Sequence, residues 1–171
     1  MVILNKTENK KAGSYPAFTM IELVFVIVVI GILSAIAIPK LAVTRDDAVI
    51  VKVKSQVSAI RSGIAMQKNR RLLEGNTTLP TTLDSAPINT DGKRLFNYND
   101  GNKSNILEYP IYSKANHDGS WTKTNVTGTG KETVTTYSVQ ISGTSVPFKY
   151  NASNGIFDCN QTTQNCKDLT Q

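Results

Sequence analysis

Apolar and polar positions divide the chain into three stretches. Leu23 to Ile38 carries no charge and is almost wholly apolar. Counted from Phe18, the 21 residues to Ile38 span about 31 Å as a helix, close to the hydrocarbon thickness of a bilayer. After Pro39 the pattern becomes one-sided. Val49, Val53, Val57, Ile60 and Ile64 recur at spacings of four, four, three and four, the stripe of an amphipathic helix, while Lys52, Lys54, Arg61, Lys68 and Arg70 fall mostly off it. Gly31 and Pro39 punctuate the run, Pro39 is expected to kink it, and Gly75-Asn76 is the expected stop. One helix from about Phe18 to Glu74 follows from this pattern.

From Gly75 the pattern changes to short runs between turn signals. A loop over Gly75 to Asn89 contains Pro80 and Pro87. The strand candidates are Arg94–Tyr98, Ile106–Tyr112, Ser120–Asn125, Thr133–Ser142, Val146–Tyr150 and Gly155–Cys159. Asp91-Gly92, Asp100-Gly101, Asp118-Gly119, Gly128 to Gly130, Ser142-Gly143 and Asn154-Gly155 mark the turns. Alternation is clearest where Tyr137, Val139 and Ile141 share a face against Ser138 and Gln140, with Val134 out of phase. The expected architecture is α+β, with an antiparallel meander packed on the amphipathic half of the helix.

Composition adds orientation. The 171 residues carry a net charge of +6, of which Lys6, Lys10 and Lys11 against Glu8 supply two. This basic flank keeps the N-terminus on the cytoplasmic side, so that everything after Pro39 lies outside the membrane. Solvated lysines account for the remaining charge more simply than an acidic partner does. Cys159 and Cys166 are an even pair in a domain that reads as exported, which favours a disulfide; a zinc site needs about four ligands, and His117 is the sole histidine. Closing that loop of six residues stabilises by roughly 2–3 kcal/mol in the chain-entropy account.

Three readings of the apolar segment compete: a plain signal anchor, a secretory signal peptide cut at Ala35-Ile36-Ala37, and a leader removed ahead of the segment. Glu22 separates them, because a carboxylate in a bilayer core costs about 2.5–3.5 kcal/mol and marks a function by default. The stretch Ala17-Phe18-Thr19-Met20-Ile21-Glu22-Leu23, after a short basic leader, resembles the N-terminal motif of type IV pilins and type II secretion pseudopilins. The resemblance continues from Val24 to Leu33 and through Ala37-Ile38-Pro39-Lys40, covering roughly residues 10 to 50; the rest matches in architecture only.

That resemblance implies a prepilin peptidase cutting between Ala17 and Phe18 and methylating the new amine of Phe18. It implies residues 1–17 as a cytoplasmic leader, 18–39 as the membrane half of the helix, and 40–171 as a periplasmic or extracellular domain shaped like a ladle. The family usually has Gly before the Phe, whereas this chain has Ala17 after Pro16, so slower cleavage is expected. The charged amine of Phe18 on one subunit would lie near Glu22 of a neighbour, which makes Glu22 a register device; an interfacial Glu facing headgroups is the competing account of the same residue. The Cys159–Cys166 loop resembles the C-terminal disulfide loop of many type IV pilins.

The implied function is a non-enzymatic subunit of a type IV pilus or of a secretion or DNA-uptake pseudopilus. Its implied partners are related subunits, the peptidase, the inner-membrane assembly platform and inner-membrane lipid. The alternative is an anchored or secreted periplasmic binding domain that forms no filament. Arg70-Arg71 would touch nucleic acid in a DNA-uptake filament, although a solvated helix face accounts for them more simply.

Other chemistry is weakly signalled, and neither a cofactor nor a metal is expected. Gly128-Thr129-Gly130-Lys131 fails the phosphate-loop pattern, with Asn125 and Glu132 at the positions that need Gly and Ser or Thr. Ser120 and Lys123 have serine–lysine spacing without its companion motifs. Asn99-Asp100-Gly101-Asn102 and Asn116-His117-Asp118-Gly119 offer oxygens to calcium, but neither completes a twelve-residue EF-hand loop. Turn chemistry explains both.

Overall fold

The computed structural model describes residues 18–97 and 106–171, with the backbone alone at Pro39 and 41–44. Contacts divide the chain after Leu41. Helix α1 runs from Met20 to Leu73. Pro39 lies inside it and does not end it. The stop falls where Gly75 permits it: Gly75 has φ +77°, its N–H donates to the Leu72 carbonyl at 3.1 Å, and the Asn76 N–H donates to the Arg71 carbonyl at 2.8 Å. This is a Schellman ending, and it needs a residue that tolerates positive φ.

In the unit from Ala42 onward, the expected stripe is the buried face of α1. Val53, Val57, Ile60 and Ile64 are buried, and Val49 packs at the margin. They join the inward face of an antiparallel meander in the order β3 (Trp121–Thr127), β4 (Val134–Ile141), β5 (Thr144–Asn151), β6 (Ile156–Cys159). Tyr137 pairs with Phe148 and Val139 with Val146, so the inward side chains of β4 and β5 sit opposite one another. Ser142 and Gly143, both at positive φ, connect these two strands as a tight two-residue turn. Phe96, Trp121, Tyr137, Phe148 and Phe157 form one aromatic cluster, with ring centroids 4.7 to 6.1 Å apart.

The first two strand candidates are shorter than their sequence suggests. β1 is Arg94–Leu95 and β2 is Ile111–Tyr112, forming a separate two-stranded pair. Phe96 ends β1 by adopting φ +55° with its ring fully buried. Pro110, lacking an N–H, precedes β2, and the stretch from Ile106 to Tyr109 bends instead of pairing. Tyr98 and the Asp100-Gly101 turn lie outside the described residues. Two elements went unforeseen: a single 3₁₀ turn at Gly130–Glu132 and a short helix α2 at Gln164–Thr170. α2 buries Cys166 and Leu169, and the Cys159–Cys166 disulfide, with Cα atoms 5.8 Å apart, ties it to the end of β6.

Gly63 lies on the buried stripe between Ile60 and Ile64. A Cβ there would overlap the Ile106 carbonyl oxygen and Cγ2. Gly→Ala in an exposed helix gains about 1 kcal/mol, but here the collision involves backbone and outweighs that gain. We expect Gly63→Ala to lower stability and Gly63→Val to lower it by about 1–3 kcal/mol, read from denaturation midpoints of the domain. A Gly63→Ala chain more stable than its parent would show that α1 can withdraw from Ile106.

Candidate functional site

Two places combine charge with an unusual environment. The first is the start of α1. Phe18 is 79% exposed, and every large apolar side chain from Met20 to Leu33, then Ile36 and Ile38, is also exposed. The segment Met20–Ile38 has a mean hydropathy of 3.0 and none of it is buried within the chain, so it is long and apolar enough to cross a membrane. Ala17 lies outside the described residues. Glu22 is exposed, and among the described residues its carboxylate has no ion-pair partner.

Glu22 also has a local role that the sequence reading missed. The Thr19 hydroxyl oxygen accepts the Glu22 N–H at 3.3 Å, so Thr19 caps the helix and Glu22 is its third residue. Thr19-Met20-Ile21-Glu22 has the Ser/Thr-x-x-Glu spacing of a capping box, and a carboxylate there complements the positive end of the helix dipole. The signal was present in the sequence, but the apolar run drew attention to membrane cost rather than to capping.

The second place is buried. Asp84, in the segment after α1, has a side chain that is 0% exposed, and Lys123 on β3 has one that is 6% exposed; they pair at 3.1 Å. Asp84 Oδ1 accepts from Lys123 Nζ and from the Ala86 N–H at 2.9 Å. Asp84 Oδ2 accepts from the Tyr137 hydroxyl at 2.7 Å and from the Phe96 N–H at 3.4 Å. Lys123 Nζ donates also to the Ala86 carbonyl at 3.0 Å. The pleat explains why a lysine is inside: Trp121 and Lys123 share the inward face, and Lys123 stands directly opposite Tyr137. A bulge at Thr124 immediately follows and ends the buried part of β3.

The remaining candidates are not brought together. Lys123 faces the core, whereas Ser120 contacts the exposed His117 Nδ1 at 3.4 Å, so the serine–lysine spacing forms no pair. Arg71 is buried and donates to the Thr78 carbonyl at 3.0 Å, and Arg70 lies 3.7 Å from Glu74. Of that basic pair, then, Arg71 is turned inward. Asp118 Oδ1 accepts the Gly143 N–H at 3.0 Å, which is turn chemistry, and Asn99 to Asn102 lie outside the described residues. Asp158 sits beside Cys159 and Cys166, but the two sulfurs are bonded to each other and Arg61 pairs with Asp158 at 2.9 Å. Comparison with protein-family models, with curated proteins and with solved structures finds no match for this chain.

Burial first, then the charge of Asp84 and the hydrogen bond to it, pushes the Tyr137 phenol well above the ordinary tyrosine range. A phenol raised in the folded state favours folding fully below the unfolded value of about 10, and that contribution is lost as pH climbs through the folded value. We expect the domain to lose stability above about pH 10, with the Tyr137 phenol contributing to the ultraviolet titration only on unfolding. Tyr137→Phe should cost about 1–3 kcal/mol at neutral pH and flatten the alkaline slope. An unchanged slope would place the alkaline weakness elsewhere.

Proposed function

We propose that this chain is a filament subunit of the type IV pilin or pseudopilin kind, held in the inner membrane with its C-terminal domain on the periplasmic side until assembly. The observation that carries the proposal is the motif Ala17 to Glu22 at the head of a 19-residue apolar segment, Met20–Ile38, that the chain itself leaves wholly uncovered. An uncovered helix of that kind needs lipid or other helices around it. The α+β domain, with a meander on the second half of the helix and a disulfide-closed C-terminal loop, is compatible with such a subunit.

In this reading a peptidase releases residues 1–17, Phe18 acquires a methylated amine, and Glu22 meets that amine on a neighbouring subunit. The capping role of Glu22 means that Glu22→Ala removes two things at once. Glu22→Gln is the sharper variant, because Gln keeps capping-box hydrogen bonding and loses only the charge.

We expect membrane-extracted protein from a host with prepilin peptidase to begin at methylated Phe18. We expect both Glu22→Ala and Glu22→Gln to lose most filament assembly, scored by sheared filaments, while the cleaved subunit remains in the membrane. A start at Ile38 or Met1 would overturn the filament reading and favour an exported or anchored binding domain. Normal assembly of Glu22→Gln would assign Glu22 to capping rather than to pairing between subunits.

A further inference from the structure

The Asp84–Lys123 pair has more around it than an ion pair requires. Both groups are shut away from water, the Ala86 carbonyl holds the amine from one side, and each carboxylate oxygen has its own donors. We propose that Lys123 and Asp84 condense into an intramolecular amide, joining the segment after α1 to β3. The ion pair is the state before bond formation.

The step balances without a co-reactant. The ammonium of Lys123 passes one proton to Oδ2 of Asp84, leaving a neutral amine and a neutral acid whose carbonyl oxygen is Oδ1. Nζ then attacks Cγ. The Ala86 N–H, already on Oδ1, steadies the negative charge that builds on that oxygen. Tyr137, 2.7 Å from Oδ2, donates its proton as the Cγ–Oδ2 bond breaks and recovers one from the nitrogen. Two of the three ammonium protons leave with Oδ2 as water, one stays on the amide nitrogen, and Tyr137 ends as it began.

Two physical arguments favour the product. Taking two charges out of water is costly, and their attraction recovers that cost only with good geometry; a neutral amide removes both charges, and the water goes to bulk. Fixing the amine beside the acid also makes the reaction unimolecular, which is worth many orders of magnitude in rate when the reacting atoms are held close. The raised phenol of Tyr137 keeps that proton in place throughout the physiological range. The inference is independent of the filament reading, since it concerns the core of the domain alone.

The test is mass. The full chain, with whatever N-terminus it carries, is purified, denatured and reduced, and its intact mass is compared with that of the sequence. We expect a mass lower by one water. Trypsin should then leave residues 72–93 joined to 115–131 in one branched peptide, because the linked Lys123 resists cleavage. An Asp84→Asn chain that folds should react with loss of ammonia instead, and Lys123→Arg, folded or not, should show the full sequence mass. Full mass in the parent chain would overturn the proposal. So would a water loss that maps to Asp91-Gly92, Asp100-Gly101 or Asp118-Gly119 and is restored by mild base, the behaviour of a succinimide.

Discussion

Trp121 must be inside, and the pleat of β3 therefore places Lys123 inside as well. Much of the arrangement around the meander follows from this one constraint. A buried ammonium needs a counter-charge, and Asp84 supplies it from the segment that follows α1. Asp84 in turn needs its lone pairs filled, which fixes Ala86 and Phe96 by their N–H groups and Tyr137 by its hydroxyl. Phe96 is held at positive φ and its ring enters the aromatic cluster. Removing either ion alone would leave the other uncompensated, at a cost of about 3–5 kcal/mol. The network specifies which irregular segment lies over which strand, a task that apolar packing, being non-directional, does poorly.

The sheet edges are handled by the same segments. The N–H groups of Asn89 and Lys114 donate to the Lys123 and Trp121 carbonyls, covering the start of the β3 edge. On the opposite edge, Arg61 from α1 donates to the Phe157 carbonyl at 3.0 Å while pairing with Asp158, and β6 is only four residues long. Short, capped edges deny a neighbouring chain a template for strand addition. Strand addition by another chain is therefore disfavoured at these edges.

Regular periodicity was legible and irregular backbone was not. The α1 stripe, the β4 alternation and the Ser142-Gly143 and Gly75 signals all rest on local rules, and the structure follows them to within a residue or two. Phe96 breaks β1 because its ring gains more in the aromatic cluster than a third strand residue would, and nothing within that run announces this. α2 has only two buried residues and forms because the disulfide and Leu169 hold it down. Asp84 lies in an irregular segment between Pro80 and Pro87 and no local pattern marks it; its pairing with Lys123 spans the sequence and is visible only once β3 is in register with β4. Glu22 was flagged by composition, yet its capping contact with Thr19 needed the helix start to be located.

The two halves of α1 solve different problems with the same backbone. From Val53 to Ile64 one face is buried by the protein's own sheet, and burying each such side chain contributes about 1.5–3 kcal/mol to folding. From Met20 to Ile38 no face is buried, so folding of the domain gains nothing from those side chains. Their apolar surface must be covered by lipid or by other helices, and between those two environments the hydrophobic effect scarcely discriminates. Moving such a helix from bilayer to bundle therefore depends on packing and on whatever polar group the helix carries. Glu22 is the only ionisable side chain in that stretch. In the filament subunit proposed above, a carboxylate that is tolerated near a headgroup and better satisfied by an opposite charge at a fixed depth would give a direction to an otherwise indifferent transfer, one turn from the end of the helix.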